Sequence, residues 1–295
     1  MTAWLENAGF SFELPHTRSK RILLAVRTIA VVALIAAAVL TPGFLTRISL
    51  FSLLTTMAFI GCVAIGMTFI TLSGNAMSFA LGATLSATAI VFAVCLPLGL
   101  IPAMAIAFLF SAVLTGAQGW VIGYFRANPI IISMAVLGLI YGFATYLTGG
   151  QGINPEGSDF DILKERIGPI TGPLAAFLLT VVVAQFVLSY TRFGRNLYMV
   201  GSNPRAAEAA GIVKWRTVTG AYVAAGLCTA FSAVLMAARY SSGDMTLGIG
   251  YDYNAISAVL VGGTAIQGGE GSAVRTLLGT VVISVIEGLL LLWGF

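Results

Sequence analysis

Long apolar runs separated by short polar breaks are the feature that most constrains the fold of this chain. A helix that crosses the hydrocarbon core of a bilayer needs about 20 apolar residues. Eight runs approach or exceed that length, at about 22–41, 49–72, 76–96, 101–125, 129–148, 170–190, 216–238 and 272–295. Only 9% of the residues are charged, which is too few to solvate the surface of a soluble domain. The sequence therefore predicts an all-α, polytopic integral membrane bundle of about eight or nine transmembrane helices, and it excludes a soluble enzyme, a disulfide scaffold and a disordered chain.

Two interruptions of the apolar pattern predict helices that do not run straight through the membrane. They lie near 73–82 and 262–271, and both are rich in glycine and small polar residues. A shorter apolar piece at 254–266 is interpreted as half a helix. Within a bilayer, non-helical backbone survives only where protein or water covers it. We therefore expect broken or re-entrant helices near 73–82 and 262–271, with a plain surface loop as the alternative for the second stretch.

The distribution of basic residues predicts the orientation of the chain. Residues 1–21 form a polar N-terminal segment, and residues 22–295 are expected to form a single transmembrane domain. If the N-terminal segment is cytoplasmic and the spans alternate, eleven Lys and Arg residues lie inside and four outside. Basic residues are retained on the cytoplasmic side of membranes. This predicts a cytoplasmic loop at 191–216 and an external acidic loop at 149–169.

No residue pattern in the chain predicts catalysis or a metal site. A Walker A loop needs a Gly-Lys pair, because its lysine must reach the phosphates beside backbone N–H groups, and none of the three lysines follows a glycine. The single histidine, His16, lies in the polar N-terminal segment, and the three cysteines lie singly within apolar runs. We therefore expect no catalytic residue and no metal ligand. Proton-coupled carriers usually bury acids in their spans, and Glu287 is the one acid that we place clearly within a span.

The predicted cytoplasmic loop contains the signals of a short helix. Asn203 can accept hydrogen bonds from early amides as the N-cap, and Pro204 suits the first helical position, where no donor is needed. Gly211 can adopt the left-handed conformation just past the helix end. The body of the segment is mostly alanine, which favours helix. This pattern predicts a docking element between two spans; a plain surface turn is the alternative.

Three stretches together carry a resemblance to a known family. The pattern G-x-N-x-x-A-A-x-x-x-G-I is met from Gly201 to Ile212, the pattern A-I-x-A-V-x-x-G-G-T-x-x-x-G-G-x-G is met from Ala255 to Gly271, and a third motif holds Ala64, Gly66-Met67-Thr68 and Ile70. By these motifs the chain resembles the membrane permease subunits of bacterial ATP-binding-cassette importers of the ribose, xylose, arabinose and galactoside type, in the superfamily of branched-chain amino acid and sugar permeases. The resemblance spans about residues 45–295.

The chain departs from the pattern of that family at two places. Where members carry G-I-D-L-S-x-G at the first break, this chain has Ala76 in the position of the aspartate. The family's N-G-L-N-L near the last span appears here as E-G-L-L-L, beginning at Glu287. Both changes lie near the implied transport path, so they leave the solute open among monosaccharides, sugar alcohols, nucleosides and other small polar molecules.

The resemblance implies a transport subunit rather than an enzyme. It implies two permease chains facing each other in a bacterial cytoplasmic (inner) membrane, and a periplasmic or lipid-anchored binding protein that delivers a monosaccharide or related polyol. Separate ATPase subunits would bind ATP and Mg²⁺ and drive import. No cofactor in the chain itself and no nucleic-acid partner are implied. A stand-alone secondary carrier or channel, which needs no ATPase, is the alternative.

The resemblance also implies roles for two sets of residues. The helix that couples to the ATPase would comprise Gly201, Asn203, Pro204, Ala206, Ala207, Glu208, Gly211 and Ile212. The translocation path would be lined by Asn75, Ser78, Asn254, Thr264, Gln267 and Glu287. A buried carboxylate is costly, so Glu287 would lie near the membrane interface, be protonated or face the cavity. Of these three, we expect Glu287 to face the cavity. For the neutral members of the path, helix–helix hydrogen bonding is the alternative.

Overall fold

The computed structural model describes residues 33–34, 36–155 and 172–294 of the chain. The N-terminal segment 1–21, most of the predicted span 22–41 and most of the acidic loop lie outside these residues. Within them, seven helices are long and apolar enough to cross a membrane. The one β-bridge in the described part joins Ile153 to Gly243. The predicted class, an all-α polytopic membrane bundle, is confirmed.

From Arg47 onward, ten helices follow one another along the described residues. In chain order they are α1 (Arg47–Leu72), α2 (Leu81–Cys95), α3 (Leu100–Phe125), α4 (Pro129–Thr148), α5 (Gly172–Tyr190), α6 (Arg192–Ser202), α7 (Pro204–Ala209), α8 (Lys214–Tyr240), α9 (Tyr251–Val261) and α10 (Ala273–Leu292). A 3-10 turn at Leu96–Leu98 continues α2. The seven candidate spans are α1 to α5, α8 and α10. They correspond to seven of the eight predicted runs.

Side-chain caps define where five of these helices begin. Each cap is a Ser, Thr or Asn whose side-chain oxygen accepts a hydrogen bond from an amide of the first turn, which would otherwise lack a partner. The caps are Thr46 for α1, Asn128 for α4, Thr191 for α6, Asn203 for α7 and Ser272 for α10. Local sequence therefore sets these boundaries.

Helix α8 lies at the centre of the bundle and packs against α1, α2 and α3. Small residues let the helices approach closely, as is usual between membrane helices. A Cβ on Gly66 would lie 2.9 Å from the carbonyl oxygen of Ala225, and a Cβ on Gly226 would lie 2.7 Å from that of Ser111. The Ser111 hydroxyl also donates to the Gly226 carbonyl oxygen at 2.7 Å. By contrast, α4 lies at the periphery, since little of its span is buried.

Both predicted breaks are present as non-helical segments. Residues 73–80 separate α1 from α2, and residues 262–272 separate α9 from α10. The predicted half-helix at 254–266 is α9, which begins earlier, at Tyr251, and ends earlier, at Val261. It ends there because Gly263 adopts a left-handed conformation with φ of 86°, a conformation that commonly terminates a helix.

We call the end of the bundle that carries α6 and α7 the α7 end. The carboxyl end of α1 lies there, since the Gly269 amide donates to the Leu72 carbonyl oxygen at 3.1 Å. The end of α3 also lies there, because Arg126 pairs with Glu208 of α7 at 3.3 Å. Among the described basic residues, Arg126, Arg192, Arg195, Arg205, Lys214, Arg216 and Arg275 lie at the α7 end, and Arg47 and Arg239 lie at the opposite end.

Candidate functional site

The short helix predicted in loop 191–216 is α7, and its ends have the geometry that the sequence predicts. The Asn203 Oδ1 accepts a hydrogen bond from the Ala206 amide at 3.1 Å. Pro204 occupies the start of the helix, and Gly211 has a left-handed φ of 79°. A second helix in the same loop, α6, was not predicted. It was missed because arginines on its outer face interrupt the apolar pattern.

Most of α7 faces away from the bundle. Ala207 is its one buried residue, whereas Arg205, Ala206, Glu208 and Ala209 are exposed. The predicted coupling set therefore divides in two: Gly201 and Ala207 are buried, Ile212 is half-buried, and Asn203, Pro204, Ala206, Glu208 and Gly211 are exposed. The helix presents a free surface to a partner and contacts the bundle through the buried Ala207 and the Arg126–Glu208 ion pair.

A junction of glycine residues joins the base of α7 to both breaks. Gly201, near the end of α6, is so close to the Leu72 carbonyl and to Gly269 that a Cβ on it would lie 2.5 Å from the Gly269 amide nitrogen. A Cβ on Gly268 would lie 2.5 Å from the Cα of Gly74 in the first break. Side chains larger than hydrogen do not fit at these positions. Three chain segments therefore meet backbone to backbone at the α7 end.

A second junction joins the beginning of α2 to the beginning of α9 and to the segment just before α9. The carboxylate of Asp252 accepts a hydrogen bond from the Gly82 amide at the start of α2. The Gly248 amide donates to the Ser86 hydroxyl at 2.8 Å. Asp252 is also buried, but it lies on α9, outside the candidate spans, and Glu287 is the one acid within the described spans. Asp252 caps α2 from a position 170 residues away in the chain, which local sequence could not indicate.

The predicted path residues of the first break are buried and form hydrogen bonds with neighbouring side chains. The Asn75 side-chain amide donates to the Ser73 hydroxyl at 2.7 Å. The Ser78 hydroxyl accepts from Nε2 of Gln118 on α3 at 3.1 Å. Gln118 is buried, and its Oε1 has no hydrogen-bond partner among the described residues. Sequence reasoning missed Gln118, although an amide in the middle of an apolar run is a signal in itself.

The other predicted path residues fall into two groups. Asn254 on α9 and Glu287 on α10 are brought together, with the Asn254 Nδ2 donating to the Glu287 Oε1 at 3.5 Å. The second oxygen of Glu287 has no hydrogen-bond partner among the described residues. Thr264 and Gln267 lie apart from this pair, in the glycine-rich segment 262–272; Thr264 is buried and Gln267 is exposed. Gln267 lies beside the first break, because its carbonyl oxygen would lie 3.7 Å from a Cβ on Gly74.

The described residues hold no group of three His, Cys, Asp or Glu side chains that could bind a metal ion. Cys62 and Cys228 are buried, and no disulfide links any of the three cysteines. The polar chemistry of the bundle interior is thus supplied by hydroxyls, side-chain amides and two carboxylates, those of Asp252 and Glu287. Such groups can form hydrogen bonds with a polar solute.

The fold and these junctions define a class of protein. It is a multi-pass helical membrane protein in which two non-helical breaks touch each other and are joined to one short exposed helix, α7, at one end of the bundle. The sequence profile of the family described as "Branched-chain amino acid transport system / permease component" matches residues 49–294. The chain belongs to this family and is a permease subunit of an ATP-binding-cassette importer.

Curated relatives of the chain are also import permeases. It is 31% identical over 268 residues to the ribose import permease protein RbsC of Bacillus subtilis, covering 89% of this chain and 83% of that protein. It is 29% identical over 274 residues to RbsC of Escherichia coli, covering 90% and 85%. It is 30% identical over 277 residues to the autoinducer 2 import system permease protein LsrD of Escherichia coli, covering 90% and 82%. No solved structure gives a significant match.

Proposed function

We propose that this chain carries a small polar solute, most simply a monosaccharide or related polyol, across a bacterial inner membrane. The relatives named for ribose and autoinducer 2 import support a small hydroxyl-bearing solute. A binding protein would deliver the solute at the end opposite α7, and separate ATPase subunits with ATP and Mg²⁺ would drive its release. The chain itself would hold no cofactor and catalyse no covalent step.

The observation that carries the proposal is the exposed helix α7 and its direct connection to both breaks. We place the α7 end and the N-terminus in the cytoplasm, because basic residues concentrate there and basic residues favour the cytoplasmic side. An ATPase that moves α7 would move Gly201. Since Gly201 packs on the backbone of Leu72 and Gly269, the movement would reach both broken segments without a flexible side chain in between.

The path itself would run along the breaks, where neutral hydrogen-bonding groups and Glu287 are available. Ser78 and Gln118 from one side and Asn254 with Glu287 from another offer donors and acceptors to solute hydroxyls. Their hydrogen bonds to each other, at 3.1 Å and 3.5 Å, would have to exchange for bonds to the solute. Binding here would be weak, because the binding protein supplies the affinity.

The first test is a pull-down of the tagged chain from its native membrane, with mass spectrometry of the proteins that accompany it. We expect an ATPase subunit of the cassette type and a second permease chain, and the same preparation with the Ala206→Arg variant should lose the ATPase. Ala206 is exposed on α7, and arginine is a good helix former, so the helix should persist. Gln151→Arg, an exposed position outside α7, is the matched control.

The opposite outcome would favour the alternative. If the chain purifies alone and moves solute in vesicles that contain no ATPase, it is a stand-alone carrier or channel. If Ala206→Arg and Gln151→Arg both retain the ATPase, α7 is not the coupling helix.

A further inference from the structure

Helix α6 carries a basic groove that includes none of the predicted coupling or path residues. The groove has a volume of about 530 Å³ and is lined by Arg192, Arg195, Asn196, Tyr198 and Met199. Both arginines are exposed. Neither arginine forms an ion pair with another described residue. Two guanidinium groups on one helix face without a carboxylate partner among the described residues are suited to an anion.

The opposite face of α6 is fixed against the bundle. Phe193 stacks on Phe69 with ring centroids 6.4 Å apart, and Leu197 and Val200 are fully buried. The apolar side of this amphipathic helix is therefore already covered by protein. Only its basic side is available to a ligand.

The groove lies at the level where a membrane meets water. Helix α5 is a candidate span that ends at Tyr190, only two residues before Arg192. In the last turns of α5, the rings of Phe186 and Tyr190 are exposed and lie 5.4 Å apart. Exposed aromatic residues at the end of a span are typical of the headgroup region.

The floor of the groove is held by a hydrogen bond to the glycine-rich segment. The Tyr198 hydroxyl donates to the Gly271 carbonyl oxygen at 2.7 Å. Burial raises the pKa of Tyr198, while the nearby Arg275 lowers it to a smaller extent, so the hydroxyl remains a donor at neutral pH. A ligand in the groove would therefore contact α6, the helix that carries Gly201 near its end.

We propose that this groove binds the phosphate of an anionic lipid headgroup. Guanidinium groups form charge-assisted, bidentate hydrogen bonds with phosphate oxygens, and basic pockets beside membrane spans recognise anionic headgroups. The bound lipid stabilises α6 and, through it, the junction of Gly201 with Gly269. The neighbouring exposed aromatic residues favour a lipid over a soluble partner, because they keep the groove next to acyl chains.

The test is lipid binding by the full-length chain in zwitterionic detergent micelles, titrated with phosphatidylglycerol and followed by native mass spectrometry. We compare Arg192→Gln/Arg195→Gln with the charge-matched control Arg205→Gln/Lys214→Gln, whose residues also lie at the α7 end. Each basic residue near an anionic surface contributes a several-fold factor, so the groove variant should bind phosphatidylglycerol at least about tenfold more weakly and the control about as well as wild type. Phosphatidylcholine should bind weakly to all three proteins, and to the same extent.

Three results would overturn the proposal. Equal losses of affinity for phosphatidylglycerol in the groove variant and the control would indicate a general effect of surface charge. Displacement of the lipid by millimolar inorganic phosphate, with phosphate binding as tightly as the lipid, would indicate a free-anion site. Unchanged lipid binding with loss of the ATPase subunit from the complex would show that the arginines contact a protein partner. A melting temperature equal to that of wild type would establish that the groove variant is folded in each case.

Discussion

Gly201 packs against Gly269 so closely that a Cβ on Gly201 would lie 2.5 Å from the Gly269 amide nitrogen. Real Cβ atoms do not approach other atoms at that distance, so glycine is the only residue that fits without backbone movement. The contact joins the end of α6 to the segment between α9 and α10. It also lies one residue before Ser202 and two before the cap of α7. The helix exposed to a partner and the broken interior of the bundle are therefore mechanically continuous.

We expect Gly201→Ala to destabilise the chain by about 1–3 kcal/mol, because overpacking forces backbone shifts of this cost. The measurement is the melting temperature in detergent, together with solute-stimulated ATPase activity of the assembled complex. Gly142→Ala is the matched control, since a Cβ on Gly142 of α4 meets nothing within 4 Å. Equal melting temperatures for the two variants would show that the junction tolerates a side chain.

Asp252→Ala should destabilise the junction of α2 and α9, because it removes the acceptor for the Gly82 amide. A buried donor that is left without its acceptor costs roughly 1–3 kcal/mol. Asp252→Asn keeps an acceptor oxygen and should lose less stability than Asp252→Ala. Thermal unfolding of the three proteins gives this order; if the asparagine and alanine variants were equally unstable, the hydrogen bond would not be the reason for the effect.

Glu287→Gln should lower solute uptake without lowering stability. The Glu287 Oε2, which has no hydrogen-bond partner among the described residues, is available to a solute hydroxyl. Because a hydrogen bond to a charged group contributes about 1.5–3 kcal/mol, uptake at low solute concentration should fall roughly tenfold or more. Glu270→Gln, at an exposed position, is the control and should transport normally. If Glu287→Gln has the same uptake and the same pH profile of uptake as wild type, Glu287 does not line the path.

The ion pair between Arg126 and Glu208 should contribute little to stability. The two atoms are 3.3 Å apart, but the side chains are 75% and 49% exposed, and exposed pairs typically contribute no more than about 1 kcal/mol. Glu208→Gln should therefore leave the melting temperature almost unchanged. If the pair positions α7 for a partner, Glu208→Arg should reduce ATPase recovery in the pull-down, and the additional change Arg126→Glu should restore it.

Local sequence predicted the features that depend only on neighbouring residues. The cap of α7 by Asn203, the entry at Pro204 and the left-handed Gly211 were all predicted and confirmed. Helix α6 was missed because its outward-facing arginines interrupt the apolar pattern in the sequence. Its apolar face becomes evident only where it packs against the bundle. Gln118 was missed because a single amide in a span does not identify its partner, Ser78, which lies 40 residues away. The functional roles of the path residues remain predictions.

The sequence by itself determined the class of protein, the seven described spans and the position of both breaks, because run length, capping and glycine content act over a few residues. Only the tertiary structure decided that the breaks touch each other, that Asp252 caps α2, that Ala207 is buried while Ala206 is free, and that Glu287 meets Asn254. These relations depend on how close whole helices approach. That distance is set by packing among residues far apart in the chain, and no local pattern records it.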